Sequence, residues 1–256
     1  PATLAGRVQL AAPPRLPILT YNNFAGREVA LTSQIHAPTL VNLWASWCVP
    51  CQAELKEWIE HKQMFEKAGL KVIVLSVDGT DKSRDTDDMD TLRALDDPTF
   101  PFECGLATTQ MLKKLQMLHD RIFGRVVPLA VPTSFLIDPE GRIAAIYRGR
   151  VEPKKLLEDL STLGAKPRRR LDLATPFPNR WLQSQRAMRL NALAGVFRKE
   201  GFLEDSYHYL QQAVYFEPGK PKTIGTVLPL QNALAIRIEM GDLLAISGRH
   251  AKAVEQ

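Results

Sequence analysis

The stretch Leu43-Trp44-Ala45-Ser46-Trp47-Cys48-Val49-Pro50-Cys51 constrains this chain more than any other. An apolar run from Thr39 to Ala45 leads into it, rich in residues that suit a buried strand. A helical pattern follows. Two cysteines at C-x-x-C spacing at a helix start can close a small disulfide ring. The first sulfur then lies against the unpaired N–H groups of the first turn and the positive end of the helix dipole. Both favour thiolate over thiol, and thiolate is the attacking species. Pro50 lacks an N–H and has a preset φ, so it suits that first turn.

Other uses of C-x-x-C fit less well. A zinc site needs two more ligands at matching spacing. Only Cys104 and five scattered histidines remain, with no H-x3-5-H. Haem attachment needs a His after the second cysteine, and Gln52 stands there. A purely structural disulfide stays open as an alternative. The context of strand, Trp-Cys-x-Pro-Cys and helix favours redox chemistry.

At these residues the chain resembles the thioredoxin superfamily, and within it the TlpA/ResA-like thiol–disulfide oxidoreductases, which carry W-C-x-P-C-x-x-E. Trp47-Cys48-Val49-Pro50-Cys51-Gln52-Ala53-Glu54 matches that pattern in full. Far downstream, Val131-Pro132-Thr133-Ser134-Phe135-Leu136-Ile137-Asp138-Pro139-Glu140-Gly141 is similar to the family's cis-proline, strand and D-x-x-G turn. The resemblance covers residues 16 to 165. It implies an α/β thioredoxin-like fold: a central mixed sheet flanked by helices, an N-terminal hairpin and an insertion before the cis-proline.

Composition sets few limits beyond a soluble chain with a real core: 45% hydrophobic and 24% charged residues. Much of the excess behind the net charge of +5 sits in Lys166-Pro167-Arg168-Arg169-Arg170, so charge is weak ground for nucleic-acid binding, and none is expected. Three cysteines are too few for a disulfide scaffold. There is no initiator Met, no signal h-region and no apolar run of about 18 residues. A missing signal peptide says nothing about compartment, because one can have been removed.

Along the chain, residues 1–17 are rich in Pro and Ala and read as a flexible lead-in. Residues 18–165 read as the thioredoxin-like domain. Ile18 to Leu31 reads as a hairpin. From Cys51 a helix is expected to about Ala68, with Leu55, Trp58, Ile59 and Phe65 on its inner face, ended by Gly69. Lys71 to Val77 is the next strand, paired in parallel through a βαβ unit. Asp78 to Asp90 lacks the calcium-loop pattern and reads as a solvated loop feeding a helix from Asp87 to Leu95. Phe100 to Gly105 is extended, and Thr108 or Thr109 caps a helix from Gln110 to Leu118. His119 to Ala130 reads as a loop. Thr133–Asp138 and Ile143–Tyr147 form a hairpin, and a last helix runs from Pro153 to Leu163. Residues 166–175 read as a basic linker.

Residues 176–256 change character to an all-α segment. Leu190, Leu193, Ala194, Phe197, Leu210, Ala213 and Pro218 fit a tetratricopeptide (TPR)-like pattern, with Gly201 at the turn. Gly241, Leu244, Gly248 and Ala253 suggest a second register. The turns at Gly201 and Gly248 lie further apart than the ~34-residue unit, with Lys220 to Pro229 holding the excess. A generic helical hairpin pair is the alternative. The chain stops inside the second repeat's expected second helix, so the natural protein is expected to continue. Such repeats imply a protein partner.

The resemblance assigns the site. Cys48 is the nucleophile, expected to be partly exposed. Cys51, one turn in, resolves the mixed disulfide and leaves an internal Cys48–Cys51 disulfide. Val49 and Pro50 lie inside the ring and tune its potential. Glu54 follows Cys51 on the same helix face and is expected to accept its proton. Ordinary thioredoxins keep an acid on the preceding strand, at the position held here by Asn42. The alternative for Glu54 is an exposed first-turn carboxylate. Pro132 is expected to be cis and to face the dithiol. The backbone of Val131 pairs with substrate, and Trp47 shields the disulfide. Cys104 reads as a buried small hydrophobe.

Three functions compete. The leading one is reduction of protein disulfides outside the bacterial cytoplasm by a chain kept reduced by an upstream reductant, without a cofactor or metal. The resemblance allows a membrane tether outside this chain. The second is a thiol peroxidase, but peroxiredoxins use T-x-x-C, and Ala45 holds the Thr position. The third is an interaction module built on the repeats, with a secondary redox role.

Overall fold

The computed structural model describes residues 6–80, 99–174, 190–214 and 230–246. They fall into two compact units, one within 1–115 and 128–176, the other within 116–127 and 177–256.

The first unit is built on an eight-stranded mixed sheet. Its strands are β1 (Gly6–Gln9), β2 (Thr20–Asn22), β3 (Glu28–Ala30), β4 (Thr39–Trp44), β5 (Lys71–Ser76), β6 (Glu103–Ala107), β7 (Thr133–Ile137) and β8 (Ile143–Arg148). Their order is β1-β8-β7-β4-β5-β6-β2-β3. Every residue of β4 is buried. That explains its near-continuous apolar sequence, since β4 pairs in parallel with β5 and antiparallel with β7. The turn between β7 and β8 is set by Asp138, whose Oδ1 accepts from Glu140 N at 3.1 Å and Arg142 N at 2.8 Å. Gly141 there has φ +77°.

Helix α1 (Val49–Glu60) follows β4, and α2 (Lys62–Lys67) follows α1. The expected continuous helix from Cys51 to Ala68 breaks at His61, whose backbone (φ −103°, ψ 11°) leaves helical geometry. The His61 ring nitrogen Nδ1 lies 2.8 Å from Glu57 O, competing for a carbonyl of the helix itself. Trp58, Phe65, Leu55 and Cys51 turn inward against Trp44, Leu136 and Leu156 in the core. Helix α4 (Pro153–Leu160) lies beyond β8.

Helix α3 (Thr109–Phe123) is capped by Thr108, whose Oγ1 accepts from Met111 N at 3.0 Å. It runs past the expected end at Leu118 into the stretch read as a loop. His119 is buried, with its ring 4.3 Å from Phe123 one turn on, so side-chain packing carries the helix to Gly124.

Two boundaries differ from the sequence reading. Residues 6–9 of the supposed lead-in form edge strand β1, antiparallel to β8. Arg7 pairs there with the buried carboxylate of Asp159, which also accepts from Tyr147 Oη at 2.6 Å. The supposed basic linker contains helix α5 (Pro167–Ala174). Pro167 stands at its first position, where a missing N–H costs nothing.

The second unit holds α6 (Leu190–Lys199), α7 (Leu203–Val214) and α8 (Leu230–Ile246). Helix α6 packs on α7, and α7 on α8. Leu193, Ala194, Phe197, Tyr209 and Leu210 are buried, and Phe197 meets Tyr209 at 5.2 Å between ring centroids. Gly201, with φ +83°, makes the left-handed turn between α6 and α7. Arg198 pairs with Glu239 across α6 and α8 at 3.3 Å. The expected Asp87–Leu95 helix, Pro218, Lys220 to Pro229, Gly248 and Ala253 lie outside the described residues.

Candidate active site

The site grows from the end of β4. The chain turns at Ala45, and Cys48 becomes the N-cap of α1 (φ −91°, ψ 92°). Its N–H bonds Ala45 O at 3.0 Å. Its O accepts from Cys51 N at 2.9 Å and Gln52 N at 3.1 Å. Its Sγ accepts from Cys51 N at 3.3 Å. A sulfur that receives a first-turn N–H at the positive end of a helix is set to carry negative charge.

Cys48 and Cys51 are joined by a disulfide, with Cα atoms 5.2 Å apart. Cys51 is fully buried, and Cys48 keeps 5% of its surface. That is less exposure than the sequence reading expected; Trp47 and Val131 pack against the cluster that holds both cysteines. Val49 is 72% exposed and Pro50 is exposed, so the ring's outer edge faces solvent. The Val131–Pro132 peptide is cis, and Pro132 is buried. Cys104 is half-buried on β6.

A buried acid holds the segment that carries Cys48. Asp78, just beyond β5, accepts from Ser46 N at 2.8 Å and Ser46 Oγ at 2.9 Å. Ser76 Oγ donates to the same carboxylate, and Gln52 Nε2 donates to Ser46 O. The sequence signal for this clamp is slight: polar residues closing an apolar strand.

Glu54 is fully buried rather than an exposed first-turn acid. Its Oε1 accepts from Val151 N at 2.7 Å, and its Oε2 from Asn42 Nδ2 at 3.1 Å. Burial pushes its carboxyl up to about 7. The Val151 N–H, the Asn42 amide and Arg150 pull it down, and Glu57 pushes it slightly up. Asn42 also donates to Ser134 Oγ at 2.9 Å, tying β4 to the strand that follows Pro132. Trp58 Nε1 donates to Val151 O at 3.1 Å, so both polar groups of that peptide serve α1. Neither Ser134 nor Val151 stood out in the sequence.

The arrangement can carry thiol–disulfide exchange: a pair of sulfurs at a helix start and a buried carboxyl, poised near neutral pH, one turn further along. Among the described residues no group of three or more His, Cys, Asp or Glu side chains is placed to hold a metal ion. Nor is any described helix long and apolar enough to cross a membrane.

The chain is similar to several known proteins. It is 23% identical over 147 residues to thiol-disulfide oxidoreductase ResA of Geobacillus thermodenitrificans, covering 57% of this chain and 75% of that protein. It is 25% identical over 140 residues to ResA of Bacillus thuringiensis, covering 55% and 71%. Among solved structures, a secreted thiol-disulfide isomerase of Corynebacterium glutamicum aligns at 20% identity with a TM-score of 0.47, covering 60% of this chain and 89% of that one. The AhpC/TSA family matches residues 14–146, just over half the length, with the dithiol loop and the cis-proline both inside it. The chain belongs to the AhpC/TSA family.

Proposed function

We propose that this thiol–disulfide oxidoreductase reduces protein disulfides through Cys48 and Cys51. The observation that carries the proposal is Cys48 Sγ at the N-cap of α1, receiving the Cys51 N–H at 3.3 Å. In the reduced chain the Cys48 thiolate attacks one sulfur of a substrate disulfide. An S–S bond forms between Cys48 and that sulfur, and the other substrate sulfur leaves as a thiolate. Glu54 then takes the proton of the Cys51 thiol, and the Cys51 thiolate attacks Cys48. The Cys48–Cys51 disulfide forms, and the substrate's second sulfur leaves as a thiolate that is protonated from solvent. Two electrons pass to the substrate, and an external dithiol restores the pair. Trp47 and Val131 pack against the cluster that holds the disulfide, and the backbone of Val131 beside cis-Pro132 is the proposed substrate-pairing edge.

Kinship with ResA proteins supports a site of action outside the cytoplasm. The helices of the second unit are proposed as TPR-like repeats that engage a protein partner. A peroxidase reading has less support, since buried Ala45 offers no hydroxyl at the Thr position of T-x-x-C.

The test is reduction of a disulfide-bonded protein with dithiothreitol as electron source. Cys51→Ser should accumulate a mixed disulfide through Cys48, and Cys48→Ser should form none. Turnover by Cys48→Ser at the rate of the parent would reject the assignment.

A further inference from the structure

Asn42 lies in the middle of β4, fully buried, between Glu54 on α1 and Ser134 on β7. Both bonds leave from the same atom: Nδ2 donates to Glu54 Oε2 at 3.1 Å and to Ser134 Oγ at 2.9 Å. Its Oδ1 is buried with no hydrogen-bond partner among the described residues. A buried carbonyl oxygen with nothing to accept is uncommon, and each such atom calls for a physical reason.

The two ends of a carboxamide have nearly the same shape and opposite hydrogen-bonding character. Half a turn about the last side-chain bond exchanges Nδ2 and Oδ1 without changing the packing. Glu54 presents a carboxylate before it takes a proton and a carboxylic acid afterwards. The carboxylate accepts from Nδ2. The acid carries an O–H that would face the Nδ2 donor, two hydrogens pointing at each other. Turning the amide brings Oδ1 to that place, where it accepts from the acid. The Ser134 hydroxyl can accept or donate, so it serves either orientation. One polar end of Asn42 goes without a partner in each orientation. The amide alone therefore has little preference, and the state of Glu54 decides.

We propose that Asn42 is a positioning residue that partners Glu54 in both of its states, donating through Nδ2 to the carboxylate and accepting through Oδ1 from the acid. The role rests on Glu54 taking the Cys51 proton. It gives that proton a bonded resting place in a site where Cys51 is fully buried. The charged groups that bear on Glu54 are Arg150 and Glu57, themselves paired at 3.0 Å. Val151 N–H, on the other oxygen, can serve as donor in both states.

The experiment is NMR on the intact oxidised chain from pH 5 to 9. It follows the Asn42 side-chain amide protons and the Glu54 carboxyl carbon together, in the parent and in Glu54→Gln. One shared midpoint is expected for both signals. Below it, the Asn42 protons should lose their hydrogen-bonded shifts. In Glu54→Gln the Asn42 signals should stay flat. Asn42 protons that keep their hydrogen-bonded shifts while Glu54 titrates would overturn the reversible amide, as would Asn42 signals that still titrate in Glu54→Gln. A Glu54 carboxyl that does not titrate in this range would overturn it too. The Glu54 reading fails separately, if Glu54→Gln resolves the Cys48 mixed disulfide as fast as the parent.

Discussion

Glu54 and Val151, 97 residues apart in the chain, meet at 2.7 Å, the Val151 N–H donating to Glu54 Oε1. Trp58 donates back to Val151 O from the same helix. The segment between β8 and α4 is thereby tied to α1, with a buried acid at the joint.

The first consequence is kinetic. In the proposed mechanism the carboxylate form of Glu54 accepts the Cys51 proton, and that form prevails above about pH 7. The rate of resolving a Cys48 mixed disulfide should rise as pH passes through that value. Glu54→Gln should slow resolution on the order of 100-fold near neutral pH and remove that midpoint. Stopped-flow release of substrate thiol measures both.

The second is thermodynamic. The folded state holds the Glu54 proton more tightly than the unfolded chain, whose carboxyl titrates near its ordinary value of 4.5. Below 4.5 both states are protonated and the preference is fully present. As pH rises from 4.5 to about 7, the unfolded chain gives up the proton first, and stability falls. The loss reaches about 3 kcal/mol. Glu54→Gln should flatten that part of the curve, so urea denaturation at pH 5 and 8 should differ less for the variant than for the parent.

The clamp on Ser46 gives a third. Asp78→Ala leaves Ser46 N–H, Ser46 Oγ and Ser76 Oγ without their acceptor. It should cost about 2–4 kcal/mol and slow the attack of Cys48. Asp78→Asn, which keeps the shape and one acceptor oxygen, should lose less on both counts. Denaturant titration and the rate of Cys48 alkylation in the reduced chain separate stability from reactivity.

Strand β1 gives a fourth. Arg7→Ala strips the buried carboxylate of Asp159 of its guanidinium while leaving Tyr147. Because Arg7 is itself 32% exposed, the loss should be about 2 kcal/mol rather than the larger cost of breaking a fully buried pair. Faster amide exchange at residues 6–9 would accompany it.

Gly105 gives a fifth. A Cβ there would sit 2.5 Å from Asn22 O and 2.7 Å from Tyr21 Cδ2. Gly105→Ala must push β2 from β6 and should cost about 1–3 kcal/mol. Thermal unfolding checks it.

How much of this could be read beforehand depends on the kind of signal. The C-x-P-C loop, the β4 run and the Val-Pro-Thr segment are local patterns, and each predicts its own element. The place of Glu54 on the Cys51 face of α1 was legible from helical spacing, but its bonds to Asn42 and Val151 were not. Strand β1 was not: Gly6-Arg7-Val8-Gln9 carries little apolar pattern, and its partners, strand β8 and Asp159, lie far along the chain, Asp159 being 152 residues from Arg7. Helix α5 hid because a run of arginines after a proline has no apolar stripe. Val151 acts through its backbone, which no side chain announces. Asn42 left two traces: an amide inside a run of buried apolar residues, and its place where ordinary thioredoxins keep an acid.

The most direct measurement is the reduction potential of the Cys48–Cys51 pair, taken against a dithiothreitol series with Cys48→Ser as control. A working reductase dithiol should give a reversible two-electron transition at or below about −270 mV, the value for thioredoxin. A potential near about −120 mV, as for strong oxidants, would reverse the proposed direction. The absence of any reversible transition would contradict the central claim that this dithiol is the working part of the protein.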